Sequence, residues 1–153
     1  MNWKVIYVKS RNEKKVTEQL LQLGVEAYCP LVTEIRQWSD RKKKVQVPLI
    51  NSYVFVRLKE NEHDIVFQLH GVVRYLFWLG KPALVRDKEI LLMQNWLSDE
   101  HINATIERLQ PGDRMKILHG PFKGEKGIVK EITKNRIQLM LPELEIKITL
   151  SRT

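Results

Sequence analysis

The side chains that could act in catalysis or bind a metal ion are few and widely spaced. The four histidines have no metal-ligand spacing, and the single cysteine, Cys29, precedes a proline. The histidines are His63, His70, His101 and His119. None of the motifs G-x-S-x-G, G-K-[ST] or H-E-x-x-H is present in the sequence. We therefore predict a protein that is not an enzyme, that binds no metal ion or cofactor, and whose cysteine is a buried thiol.

One glycine-rich stretch, HGPFKGEKGIV from His119 to Val129, has the composition of a phosphate-binding loop. It contains three of the seven glycines of the chain. Their spacing matches neither G-x-x-x-x-G-K-[ST] nor G-x-G-x-x-G, and a β-rich run follows instead of a helix whose N-terminus could bind an anion. The spacing instead predicts turns between short strands.

The composition is typical of a globular protein with an anionic partner. Of the 153 residues 43% are hydrophobic and 29% are charged, and the formal net charge is +8. A basic protein of this kind most often binds nucleic acid or a nucleoprotein assembly. There is no apolar run of the ~20 residues that would cross a membrane, and the N-terminus does not resemble a secretory signal, so we expect a cytoplasmic protein with no membrane partner.

The chain divides into two basic blocks joined by a slightly acidic segment. The segment 99–110 lacks a long apolar stripe and is followed by the turn signal Pro111-Gly112. We therefore predict a first domain at 1–98, a linker at 99–110 and a second domain at 111–153.

Strand and helix signals alternate in the first block, which predicts an α+β domain with helices on one side of an antiparallel sheet. Ser10 and Glu13 fit a capping box for a helix at 11–23, with Val16, Leu20 and Leu23 on its buried face and Gly24 after its end. Helices are also predicted at 61–69, after the cap Asn61, and at 87–97, after the cap Asp87. The predicted strands are WKVIYVK, VEAYCPLV, PLINSYVFVRL and VVRYLFWL, and EIRQWSDRKKKVQV is predicted to be a basic hairpin. Four short β-runs in the second block, RMKIL, KGIVKEI, RIQLML and EIKITL, predict a small barrel.

Both blocks resemble a known family. The stretch PGDRMKILHGPFKGEKGIVKEI resembles a KOW domain, the small SH3-like β-barrel of NusG-type transcription factors and some ribosomal proteins. The first block resembles the ferredoxin-like NGN domain of NusG, on Trp3, Tyr7 and Lys9, on the Glu13-Lys14 pair, and on PLINSYVFVR, GVVRYL and GKPALVRDKEI. Where NusG has Pro-Leu-Phe-Pro-Gly-Tyr, this chain has Pro48-Leu49-Ile50-Asn51-Ser52-Tyr53. This departure is similar to the specialised paralogues, the RfaH-type antiterminators and those encoded in capsular-polysaccharide loci of Bacteroides-like bacteria.

The resemblance implies two contacts with RNA polymerase. An exposed apolar face would dock on the clamp helices of the β′ subunit, and its residues would be Tyr7, Leu49, Ile50, Tyr53 and Phe55. Near His63, a loop would contact the β subunit. For aromatic residues on strands, packing in the core is the ordinary alternative.

The resemblance implies two further contacts, and the residues of the basic hairpin suggest a third. Non-template DNA or nascent RNA would be bound by Lys9, Arg11, Lys14, Lys15 and Arg74, for which a solvated helix start is the alternative. A ribosomal protein or Rho would be bound through Phe122, Lys123 and Lys126 of the KOW domain. The basic hairpin with Trp38 is predicted either to contact nucleic acid or to be solvated.

The resemblance implies a cytoplasmic transcription elongation and antitermination factor that holds the polymerase clamp closed, in an operon-specific way. The runner-up is an RNA-binding or ribosome-associated KOW protein. The NGN-like block separates the two, because ribosomal KOW proteins lack it.

Overall fold

The computed structural model describes residues 2–99, 101–110 and 128–153. Its strands are β1 (Trp3–Val8), β2 (Glu26–Tyr28), β3 (Leu31–Trp38), β4 (Arg41–Pro48), β5 (Tyr53–Arg57), β6 (Val72–Tyr75), β7 (Phe77–Trp78), β8 (Lys81–Pro82), β9 (Leu84–Val85), β10 (Ile102–Arg108), β11 (Ile128–Ile132), β12 (Arg136–Leu141) and β13 (Ile146–Arg152). The α-helices are α1 (Glu13–Gln22) and α2 (Asp87–Leu97), and 3-10 helices span Glu60–Gln68 and Pro142–Leu144.

A central antiparallel sheet has the order β2-β5-β1-β6, and β9 also pairs with β1. Alternation along β1 gives this sheet two apolar faces: Ile6 and Val8 pack in one core cluster with Val16 of α1, while Trp3 and Val5 pack in another. Met93 of α2 belongs to the second cluster. The predicted antiparallel α+β architecture is confirmed, but the helices lie on both faces and not on one side.

Several local predictions for the first block need correction. The helix α1 begins at Glu13 after the N-cap Asn12, with no side-chain cap. The predicted capping box does not form, and the Glu13 carboxylate instead accepts a hydrogen bond from a distant amide, Ser52 N. At the other end, Gly24 is left-handed as predicted (φ +81°), whereas Leu23 is exposed. The remaining two caps are also displaced: Lys59 caps the 3-10 helix in place of Asn61, and Arg86 caps α2 in place of Asp87.

The C-terminal sheet has the order β10-β13-β12-β11. Its first strand lies within the segment predicted to be a linker, since Ile102–Arg108 pairs with β13 along its whole length. The linker prediction is therefore wrong over this strand, and the division of the chain into two domains stays a prediction. Residues 114–118, predicted to be another strand of a barrel, lie outside the described residues, as do Phe122, Lys123 and Lys126.

The C-terminal sheet and the central sheet share one hydrophobic core. Leu139 and Ile148 are fully buried in the same cluster as Val5 and Phe55. Polar contacts cross the same boundary: the Leu84 N–H donates to Glu143 Oε1 (3.3 Å). One face of the central sheet thus packs in a core that it shares with α2 and the C-terminal sheet.

Candidate functional site

A row of side chains, two exposed and one half-buried, lies beside this shared core. Tyr7 and Tyr53 occupy facing positions of β1 and β5, and Arg74 of β6 faces Tyr7 from the other side. The two tyrosine rings meet edge to face with their centroids 6.2 Å apart, and the Arg74 guanidinium lies 5.9 Å from the Tyr7 ring centroid. Tyr7 is 38% exposed. We call Tyr7, Tyr53 and Arg74 the aromatic row; it offers a rigid apolar surface with a cation at one end.

The backbone before Tyr53 is fixed by two hydrogen bonds to Ser52. The Val8 N–H donates to Ser52 O (2.8 Å), and the Ser52 N–H donates to Glu13 Oε2 (2.9 Å). Ser52 is left-handed (φ +68°), a conformation that glycine adopts more readily, and the resemblance places the NusG glycine at this position. Glu13, only 4% exposed, thus positions the loop that presents Tyr53. Sequence reasoning missed this role because it assigned Glu13 to a capping box.

Two residues predicted on the exposed face are buried instead. Phe55 is fully buried and Ile50 is 7% exposed, and both belong to the core shared with the C-terminal sheet. The Phe55 ring stacks on Tyr28, with centroids 6.5 Å apart, and Leu49 packs against the same core in a half-buried position. The prediction that Phe55 and Ile50 are exposed is wrong for this structure, because both side chains pack in a core to which α2 and the C-terminal sheet also contribute.

A groove of about 360 Å³ lies next to Tyr53, between the central sheet and the 3-10 turn of the C-terminal sheet. Leu76, Phe77 and Trp78 line one wall, and Leu144 and Ile146 contribute to the other. Phe77 is 52% exposed. Sequence analysis did not select Phe77; the signal it missed is an aromatic residue next to the turn that joins β7 to β8.

The predicted nucleic-acid residues are exposed and lie near one end of β1. Lys9 follows Tyr7 at that end, and its Nζ lies 3.2 Å from His70 Nε2. Arg11 is left-handed (φ +67°), and the Lys14 ammonium donates to the Gln46 backbone carbonyl, which connects α1 to β4. Lys15 is exposed on α1. Lys9 and Arg11 thus follow Tyr7 of the aromatic row closely along the chain. Arg74 belongs both to the aromatic row and to the predicted nucleic-acid residues.

His63 lies on the opposite face of the central sheet. Its ring stacks on Tyr75 with centroids 3.9 Å apart, and Tyr75 belongs to the core cluster beneath α1. Burial raises the pKa of Tyr75 to about 12, so its hydroxyl stays protonated and donates to the His63 backbone carbonyl (2.7 Å). Lys4 Nζ lies 3.4 Å from His63 Nδ1. The structure thus does not bring His63 together with the aromatic row.

Comparison with known proteins identifies the family. The model of the family described as "Transcription termination factor nusG" matches residues 1–94, which is more than half of the chain. The chain belongs to the NusG family. Its members are transcription factors and not enzymes.

The NusG relatives are distant in sequence. The transcription termination/antitermination protein NusG of Pseudomonas aeruginosa is 25% identical, over 90% of this chain and 86% of its own length. The NusG of Rickettsia typhi is 26% identical, over 90% of this chain and 78% of its own length. A solved structure titled for domain interaction in Thermotoga maritima NusG is 19% identical, covers 99% of this chain and 93% of its own, and has a TM-score of 0.43.

Three further observations concern the cysteine, the possible metal ligands and the helices of this NusG-family chain. Cys29 is 7% exposed, and burial, followed by the nearby Glu13, raises the pKa of its thiol to about 11. Within residues 2–99, 101–110 and 128–153, His, Cys, Asp and Glu form no group of three or more that could hold a metal ion. In the same residues, every helix is too short or too polar to cross a membrane.

Proposed function

We propose that this NusG-family chain is a specialised elongation and antitermination factor that binds RNA polymerase across its clamp and suppresses pausing or termination, in an operon-specific way. The observation that carries the proposal is the aromatic row, in which the exposed ring of Tyr7 meets the half-buried ring of Tyr53 on neighbouring strands of a sheet with a packed core. A rigid aromatic surface of this kind loses little conformational entropy on binding, which is typical of energetically dominant contacts.

The proposed partner of the aromatic row is the pair of β′ clamp helices. The exposed ring of Tyr7 and the accessible part of the Tyr53 ring would contact the helices directly, and the groove beside Tyr53, which also contains Arg108, Glu143 and Glu145, would lie at the edge of this contact. Phe55, Ile50 and Leu49 would support the rings from within the core, in place of the direct contact expected from the sequence.

A second contact, with the β subunit, is proposed at His63. Because His63 and Tyr7 lie on opposite faces of the central sheet, one domain could contact two parts of the polymerase at the same time. Bridging favours the state in which both parts are at the right separation, so the factor would act by shifting the polymerase population from a paused to an active state. Such a mechanism needs no cofactor and no catalytic residue.

The cations near the aromatic row are proposed to contact the non-template DNA strand or the nascent RNA. Lys9 and Arg74 are exposed and lie next to the proposed docking surface, so a strand leaving the polymerase there would meet two positive charges. Arg11 and Lys15 would extend this contact, whereas the ammonium of Lys14 is already bonded to the Gln46 carbonyl.

The specialised role is supported by the loop before Tyr53. Ser52 keeps the left-handed backbone of the glycine expected there from NusG, so the loop geometry persists while its chemistry has changed.

The second domain is proposed to be a KOW domain that contacts a ribosomal protein or Rho through Phe122, Lys123 and Lys126. The alternative function, a ribosome-associated or RNA-binding KOW protein, is favoured by the net charge of +8.

Affinity purification from a bacterium that carries the gene separates the two functions. The tagged protein is expected to retain core RNA polymerase after nuclease treatment, and a Tyr7→Ala/Tyr53→Ala variant is expected to lose it. Nuclease-resistant recovery of ribosomal subunits without polymerase would reject the proposal and favour the alternative.

A further inference from the structure

The strands β3 and β4 form a separate two-stranded sheet, the hairpin arm (residues 31–48). Eight residue pairs extend from Leu31–Pro48 at the base to Trp38–Arg41 beside the two-residue turn Ser39-Asp40. All residues from Glu34 to Lys44 are exposed. Since the distal half of the arm contributes so little to the core, the side chains on its Trp38 face are available to contact another molecule.

One face of the distal arm combines an aromatic ring with cations. Trp38 faces Arg41, and Arg36 faces Lys43, so alternation along the two strands puts all four side chains on the same face. The Lys43 ammonium lies 4.9 Å from the Trp38 ring centroid and the Arg41 guanidinium 6.0 Å from it. The indole is nevertheless 45% exposed. This arrangement places phosphate-binding groups directly beside a surface on which a base can stack.

The charge of the arm is strongly one-sided. Its distal half carries Arg36 and the run Arg41-Lys42-Lys43-Lys44, and the arm itself, residues 31–48, contains two acidic residues. Of these, Glu34 Oε2 pairs with Arg36 (3.6 Å), and Asp40 lies in the turn. Mutual repulsion of closely spaced cations costs free energy in the isolated protein, and an anionic partner would relieve that cost.

We propose that the hairpin arm binds single-stranded nucleic acid. A base stacks on the exposed part of the Trp38 indole, and Arg36, Arg41 and Lys43 contact the phosphates on either side of it. Lys42, on the other face beside Gln37, adds positive charge. A base in an intact duplex is already stacked on its neighbours, so this combination of ring and cations favours a single strand.

The site is expected to be indifferent to the sugar and to the base sequence. Phosphates and the planes of bases are common to DNA and RNA, and no side chain on the distal Trp38 face is placed to distinguish a 2′-hydroxyl. Because this site uses neither the aromatic row nor the polymerase, it goes beyond the proposed function, and variants of the arm separate it from the nucleic-acid contact proposed at Lys9 and Arg74.

Fluorescence anisotropy of the full chain with a fluorescein-labelled 15-nucleotide oligothymidylate tests the proposal. Trp38→Ala is expected to weaken binding about 10-fold, and Trp38→Phe, which keeps a ring for stacking, much less. The triple variant Arg36→Gln/Arg41→Gln/Lys43→Gln is expected to reduce the slope of log affinity against log salt by about 2, the number for three phosphate contacts with a single strand.

A matched control separates the arm from net charge. The variant Lys59→Gln/Lys88→Gln/Lys134→Gln removes the same charge from exposed positions outside the arm and is expected to bind nearly as the unaltered protein does. Equal losses in the two triple variants would overturn the proposal, as would binding unaffected by Trp38→Ala. So would tighter binding of a 15-base-pair duplex, or a more than about tenfold preference between oligothymidylate and oligouridylate, since stacking and phosphate contacts alone cannot give it.

Discussion

The rings of Tyr7 and Tyr53 lie edge to face, with 6.2 Å between their centroids and 67° between their planes, at facing positions of β1 and β5. Cross-strand pairing fixes their separation, and the hydrogen bonds of Ser52 to Val8 and Glu13 fix the loop that leads into Tyr53. The row is therefore prepared before any partner binds, which reduces the entropy lost on docking.

Removing both rings should abolish docking while the fold is retained. We expect Tyr7→Ala/Tyr53→Ala to weaken binding to core RNA polymerase at least about 30-fold, since a central aromatic contact contributes about 2 kcal/mol or more. Biolayer interferometry measures the affinity and circular dichroism the fold. The control Leu21→Ala, at an exposed position of α1, should bind normally; similar affinities for the two variants would contradict the docking surface.

Phe55 should behave as a core residue. Because its side chain is fully buried between Tyr28 and the shared core, Phe55→Ala should lower the free energy of unfolding by about 3–5 kcal/mol. Phe77→Ala, at a 52% exposed aromatic residue, serves as the comparison and should cost much less. Equal stabilities in urea unfolding would mean that Phe55 is not part of the buried core.

Glu13 should act through the Ser52 amide. Glu13→Ala leaves this N–H without its acceptor, so we expect a loss of about 1–3 kcal/mol in stability and a weaker affinity for polymerase through displacement of Tyr53. Glu13→Gln retains a carbonyl oxygen and should recover much of both. Glu18→Ala, exposed on the same helix, is the control. An affinity unchanged in Glu13→Ala would show that Tyr53 is positioned without this bond.

The buried thiol of Cys29 predicts a loss of stability in alkaline solution. Its pKa is raised from 9.0 to about 11 in the folded chain, so between these pH values the unfolded state loses the proton first. The free energy of unfolding therefore falls as pH rises through this window, by up to about 2 kcal/mol from this group, and is unaffected below it. Cys29→Ala should show a shallower fall in urea unfolding from pH 8 to 11. Parallel curves for the two proteins would contradict the prediction.

Local patterns predicted the local structure well. Alternation identified β1, β5, β12 and β13, and Gly24 ends α1 with the left-handed backbone expected of it. The strand β10 was not predicted, although Ile102, Ala104 and Ile106 alternate with polar residues as in a strand. The acidic and polar content of the segment favoured a linker instead.

The long-range features could not be read from local patterns. Ser10 and Glu13 have the spacing of a capping box, yet the carboxylate bonds to Ser52, 39 residues away. In the same way, the alternation of Phe55 in β5 fits an exposed or a buried position, and its burial depends on long-range packing in a core with residues of α2 and the C-terminal sheet. Which apolar face is buried depends on tertiary packing. Neither a capping motif nor the periodicity of a strand can predict it.

Single-round transcription by the host RNA polymerase through the leader of the factor's own operon tests the central claim most directly. We expect the purified protein to shorten pauses and to increase read-through of terminators, and the folded Tyr7→Ala/Tyr53→Ala variant to have neither effect. Pausing and termination unchanged by the unaltered protein would contradict the account.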